Sequence, residues 1–145
     1  MKVLDICDPE FATVKPESSV AEAIQRMNDL HVGAVAVVDS EKRVAGIFTE
    51  RDVLKKVALS GRAPATIKID EVMTTPVEMA TRETTLGEAL EVMVEQHFRH
   101  LPVADDNGRL LGMLSIRHVL QAHCDDLSHE LDALESYASN DGPGG

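Results

Sequence analysis

Two short stretches of this chain combine groups that could hold a phosphorylated sugar. Gly46-Ile47-Phe48-Thr49-Glu50-Arg51-Asp52 and Gly112-Met113-Leu114-Ser115-Ile116-Arg117-His118 each carry a hydroxyl, a guanidinium and a further polar side chain at the same spacing. If each opens a helix, the hydroxyl of Thr49 or Ser115 stands beside free amides at a positive dipole end, a setting that suits an anion. A carboxylate at Asp52 can accept two hydrogen bonds from a ribose diol. Arg51 and Arg117 bring positive charge to a chain of net charge −11. The same residues also fit a plainer role, because Thr49-x-x-Asp52 is a helix capping box. The two roles are compatible.

The elements that must position these residues come from a duplication. Residues 13–54 shifted by 66 positions match residues 79–120 without a gap, with identities such as Glu22/Glu88, Met27/Met93, His31/His97, Gly46/Gly112 and Arg51/Arg117. Self-similarity of that kind marks a repeated structural unit. Each copy starts with an extended piece, Ala12–Val14 or Val77–Ala80. Ser19-Val20-Ala21-Glu22 and Thr85-Leu86-Gly87-Glu88 then read as capping boxes. The helices that follow place Val20, Ala23, Ile24, Met27 and Leu30, and Leu86, Leu90 and Met93, at three-and-four spacing. They end near His31 and His97. Strand pairs come next, Ala34–Val38 with Val44–Phe48 and Leu101–Ala104 with Leu110–Leu114; Asn107-Gly108 is a hairpin signal in the second turn. A second helix starts at Thr49 or Ser115.

The expected fold is therefore α/β (α+β), two β-α-β-β-α units related by a pseudo-two-fold axis, plus a C-terminal helix. The boundaries read as 5–61 for the first unit, 62–69 for a linker and 70–124 for the second. Residues 125–138 extend the last helix and 139–145 form a disordered tail. One unit alone has too small a core, so the two should pack sheet to sheet and leave related clefts between them.

The pattern Gly-hydrophobic-x-Thr/Ser-x-x-Asp, duplicated after a capped helix and a strand pair, resembles the CBS domain, named for cystathionine β-synthase. The resemblance covers about residues 5–137, and Thr49-Glu50-Arg51-Asp52 with the acidic helix after the second copy look like the short stand-alone bacterial and plant members with no enzyme attached. It implies a non-catalytic regulatory or sensor module that binds AMP, ATP, an NAD-type or an S-adenosyl ligand between its repeats. Carried over by position, it implies that Asp52 holds the ribose, Thr49 the phosphate or sugar, and Ile47 the hydrophobic position of the motif. Arg51 and Arg117 would lie near phosphates, as would Arg99-His100 reaching from the opposite repeat. Lys15-Pro16 and Ala34 would line the adenine slot. The second copy departs from the pattern at His118, which cannot accept both ribose hydroxyls as a carboxylate does. One strong site per chain is expected.

Composition excludes other classes. An acidic chain with no Lys or Arg after Arg117 is poorly suited to nucleic acid or anionic membranes. No apolar stretch approaches a membrane span, and Asp5, Asp8 and Glu10 interrupt any signal-peptide core. Cys7 and Cys124 fit a reduced, cytoplasmic setting. His118, His123, Cys124 and His129 match no zinc spacing, so no metal is expected. Leu120, Cys124, Leu127, Leu131, Leu134 and Ala138 recur at alternating four and three, a seam that predicts a partner helix and a homodimer. A regulated enzyme or transporter would then read the ligand state. Two rivals stay open: a ligand-free interaction scaffold in which Thr49 and Asp52 only cap a helix, and an enzyme using Asp52, Glu50 or His100 in the same cleft.

Overall fold

A computed structural model of the chain describes residues 2–141, with side chains through residue 136. The order is β1 (Thr13–Val14), α1 (Val20–Leu30), β2 (Ala34–Val38), β3 (Val44–Thr49), α2 (Glu50–Asp52), α3 (Leu86–Gln96), β4 (His100–Ala104), β5 (Leu110–Ser115) and α4 (Ile116–Asp141). This is the expected duplicated α/β order. After α2 the chain continues as one wide π-helical turn over Val53–Val57.

Local chemistry explains where the long helices begin and end. The Ser19 hydroxyl accepts from the Glu22 amide at 3.1 Å and the Thr85 hydroxyl from the Glu88 amide at 3.2 Å, each worth about 1 kcal/mol. Only this hydroxyl half of the expected boxes forms there; the full reciprocal box closes at Thr49 and Asp52. Both helices stop at a histidine in the left-handed conformation, His31 at φ 54° and His97 at φ 59°. The inward face of α1 buries Val20, Ala23 and Met27, whereas Leu30 stays 53% exposed at the helix end.

β2 and β3 pair antiparallel with Ala34 opposite Thr49, and β4 and β5 repeat this with His100 opposite Ser115. β1 adds in parallel to β2, while its counterpart in the second unit is a single bridge from Ala80 to Val103. Strand alternation divides the core. Val35, Val37 and Phe48 pack under α1, and Leu101, Val103 and Leu114 under α3. The opposite faces meet at a third cluster of Ala34, Ala36, Ile47 and Met113. Small alanines let the two sheets approach there, the sheet-to-sheet packing expected from the repeat.

The lead-in segments are exchanged between the units. Val3 packs in the second core, whereas Ile67 and Ile69, from the stretch read as linker, pack in the first. Asp8 bridges to Met113 and Thr74 bridges to Ile47, two contacts related by the same shift of 66. Close approach requires the glycine in each motif: a Cβ on Gly46 would lie 2.5 Å from Met73 Sδ, and one on Gly112 2.6 Å from Cys7 Sγ.

The hairpin tips also meet across the axis, where Val44 N–H donates to the Gly108 carbonyl and Leu110 N–H to the Lys42 carbonyl, both at 3.0 Å. Gly108 has φ 82°, but its repeat partner Lys42 holds φ 65°. Replacing a non-glycine residue at positive φ by glycine relieves backbone strain. Lys42→Gly should therefore stabilise the chain by about 0.5–1 kcal/mol, a rise in Tm of roughly 1–4 °C in thermal unfolding. An unchanged or lower Tm would mean that contacts of the lysine outweigh the strain.

Candidate functional site

The first motif lies where the two units face each other. β3 ends at Thr49 and α2 begins at Glu50, so the strand-to-helix corner presents Thr49, Glu50, Arg51 and Asp52 in succession. Opposite it, the start of β4 brings Arg99 and His100 from the second unit. Together with Ile47, Thr74 and Val77 they line a cleft of about 380 Å³, within the usual range for small-molecule sites.

Asp52 is the most constrained polar group there, only 5% exposed. The Thr49 amide donates to its Oδ2 at 3.1 Å, and the Asp52 amide donates back to Thr49 Oγ1 at 3.3 Å. Lys56, one turn on, places Nζ 3.2 Å from Oδ1. The Thr74 hydroxyl lies 3.1 Å from Oδ1 and 3.3 Å from Oδ2. The capping box at Thr49 and Asp52 is closed, with Lys56 and Thr74 as further partners of the buried carboxylate.

His100 sits half-buried beside Glu50. A Cβ on Gly33 would be 3.2 Å from His100 Cε1 and 3.3 Å from Glu50 Oε1, which locates both side chains over the same glycine. Burial holds the His100 pKa below its ordinary value; the Glu50 carboxylate pulls it up, and Arg99 adds to the lowering. The lowering favours the neutral imidazole, and an anion placed against it would favour the charged form.

Of the residues singled out from sequence, Ile47, Thr49, Arg51, Asp52, Arg99 and His100 come together in this cleft. Lys15, Pro16, Ala34 and Arg117 are not among its lining. Lys15 and Pro16 lie in the turn before α1, where the Pro16 carbonyl accepts from the Asp70 amide. Ala34 is fully buried in the cluster between the sheets. Arg117 is exposed on the first turn of α4, the repeat counterpart of Arg51. Gly33, Thr74 and Glu78 line the cleft but were missed. The pairs Val3/Ile69, Asp5/Glu71 and Ile6/Val72 extend the repeat back through the segment that holds Thr74, but they do not tell which unit it faces.

The same shift explains why the second cleft differs. Ser115 and His118 replace Thr49 and Asp52, Asp8 replaces Thr74, and Gly33-Ala34 replace Arg99-His100. It loses the Asp52 carboxylate together with the Arg99 and His100 side chains, and it has the Asp8 carboxylate where the first cleft has the Thr74 hydroxyl. A larger groove of about 590 Å³ beside α1 and α2 is lined by Ile24, Met27, Val53 and Leu54, with Asn28, His31 and Glu50 as its polar groups. Among the described residues no cluster of His, Cys, Asp and Glu is arranged to hold a metal, and no helix is long and apolar enough to cross a membrane.

Fold and cleft together define a class: a tandem-repeat module with exchanged lead-in segments and a polar cleft shared by its two units. Comparison with known proteins gives that class its family. The model for the CBS domain matches residues 3–59 and 69–125, and the chain belongs to the CBS-domain family. A 17.7 kDa uncharacterized protein of Acidianus ambivalens is 39% identical over 86% of this chain and 74% of its own length. The mitochondrial CBS domain-containing protein CBSX3 of Arabidopsis thaliana is 34% identical over 83% of this chain; the chain spans only 60% of that relative. A protein of Methanopyrus kandleri is likewise spanned over 62% of its length. Among solved structures, a CBS-domain protein of Agrobacterium tumefaciens is 37% identical with a TM-score of 0.75, covering 85% of this chain and 99% of that one. CBSX2 in complex with AMP is 26% identical with a TM-score of 0.74, over 86% of this chain and 96% of that one.

Proposed function

We propose that this chain is a non-catalytic regulatory module that binds an adenosine-containing ligand, AMP, ATP or an NAD-type nucleotide, in the cleft of the first motif. The carrying observation is the convergence of the Asp52 carboxylate with Arg51, Arg99 and His100, contributed by two different units. A carboxylate suited to a diol and cations suited to phosphate are the two recognition elements of a nucleotide. The AMP complex of CBSX2 supports the reading. Because both units supply the cleft, a ligand would favour one arrangement of the two over others, and a partner enzyme or transporter in the cytoplasm would sense that shift.

The chain acts as a homodimer in this reading. Leu127, Leu131 and Leu134 are 47%, 60% and 64% exposed along α4, so this stripe does not fold back on its own module. The seam continues to Ala138, which lies outside the residues with described side chains.

One observation favours the scaffold alternative: Asp52 is already satisfied by Thr49, Lys56 and Thr74. Isothermal titration with AMP, ATP and NADH decides between the readings. One site per chain is expected, because the second cleft lacks the Asp52, Arg99 and His100 equivalents. Two equal, independent sites would contradict the assignment to this cleft. Absence of binding by all three ligands would leave the scaffold. Turnover of any of them in the same samples would point to an enzyme.

A further inference from the structure

The Asp52 carboxylate offers about four lone-pair positions on its two oxygens, and neighbouring protein groups already engage them. The Thr49 amide takes one on Oδ2 at 3.1 Å and Lys56 Nζ one on Oδ1 at 3.2 Å. The Thr74 hydroxyl stands across the remaining pair, 3.1 Å from Oδ1 and 3.3 Å from Oδ2, with the Thr49 hydroxyl further off at 3.4 Å from Oδ2. A vicinal diol bound in bidentate fashion needs one position on each oxygen. It cannot dock until a donor leaves.

The donors differ in what leaving costs them. The Thr49 amide is fixed by the backbone of the capping turn. Lys56 carries the compensating charge and is further held by the Val72 carbonyl at 2.9 Å. Thr74 can withdraw its proton from both oxygens by rotating about its C–O bond, while its oxygen stays in place and accepts from Lys56 Nζ at 3.3 Å. Its backbone cannot retreat, because Thr74 and Ile47 exchange amide-to-carbonyl bonds of 2.8 and 3.1 Å. The competing hydroxyl is therefore permanent, and it is delivered by the lead-in segment of the second unit.

We propose that Thr74 sets the affinity and diol specificity of the cleft: its hydroxyl stands against the carboxylate positions that a vicinal diol would take on binding. The inference rests on the reading of Asp52 as the diol acceptor. Binding then exchanges one intramolecular hydroxyl for two ligand hydroxyls, so the diol contributes less affinity than two new hydrogen bonds would. Removing the Thr74 hydroxyl removes the competitor and leaves the acceptor in place.

The test is isothermal titration of the parent, Thr74→Val and Thr74→Ser with AMP and with 2′,3′-dideoxy-AMP, which lacks the diol. Thr74→Val should bind AMP about threefold to tenfold more tightly than the parent, a gain of the size of one net hydrogen bond. Its affinity for dideoxy-AMP should stay within about twofold of the parent, and Thr74→Ser, which keeps the hydroxyl, should match the parent with both ligands. Should Thr74→Val fail to fold by circular dichroism, Thr74→Ala removes the same hydroxyl and must show the same gain. Equal or weaker AMP binding by a folded hydroxyl-free variant overturns the proposal, as does an equal gain with dideoxy-AMP. A parent that binds neither AMP nor any other adenine nucleotide overturns the diol reading itself, and the inference with it.

Discussion

Asp52→Ala is expected to bind adenine nucleotides about tenfold to a hundredfold more weakly than the parent, since charge-assisted hydrogen bonds to a carboxylate contribute roughly 1.5–3 kcal/mol. The variant should also melt earlier, because the Thr49 amide and Lys56 lose a partner, a loss of about 1–3 kcal/mol. Binding and stability therefore fall together in this variant, and alanine alone cannot separate the two roles of the residue. Asp52→Asn can. Asparagine caps about as well as aspartate, so one amide oxygen can still accept from Thr49. Its NH₂ group, however, offers a donor where Lys56 and Thr74 now find an acceptor. Lys56 is 39% exposed and can turn to water, so the stability loss should be about 1 kcal/mol or less. Nucleotide affinity should nonetheless fall nearly as far as in the alanine variant, since the diol again lacks one acceptor. Titration and thermal unfolding of both variants check this. If Asp52→Asn binds as tightly as the parent while Asp52→Ala only melts earlier, Asp52 is a cap and the ribose assignment fails.

Removing residues 125–145 should convert a dimer to a monomer at micromolar concentration. The cut leaves the first turns of α4, whose Val119 and Ala122 are buried in the second core, and removes the exposed Leu127, Leu131 and Leu134. Fully burying a leucine contributes about 1.5–3 kcal/mol, and a two-fold seam would cover six of them. Even after the cost of association, losing them should weaken the dimer by roughly a hundredfold or more. Sedimentation velocity on both chains measures it. The same oligomer before and after truncation would place the interface elsewhere.

The sequence by itself determined the unit and its number. Caps at Ser19 and Thr85, apolar spacing along α1 and α3, and the hairpin signal at Asn107-Gly108 are local instructions, and a shift of 66 shows that they are issued twice. Backbone preferences and periodicity act within a few residues of chain, so they can be read in order. The motif at Thr49–Asp52 was legible for the same reason, as was the loss of its carboxylate at His118. Only the tertiary structure decided which distant residues share the cleft. Antiparallel pairing places His100 opposite Ser115 in one sheet, and the face-to-face approach of the alanine-lined sheets carries that end of β4 toward Glu50. The same approach buries Ala34 between the sheets, and the shared cleft excludes Lys15, Pro16 and Arg117 from its lining. The exchange of lead-ins was likewise invisible, because nothing local tells whether Ile67, Ile69 and Thr74 serve the unit they precede or the one they follow. Burial decides it: each small unit completes its core with the segment nearest in space, and that choice sets Thr74 against Asp52.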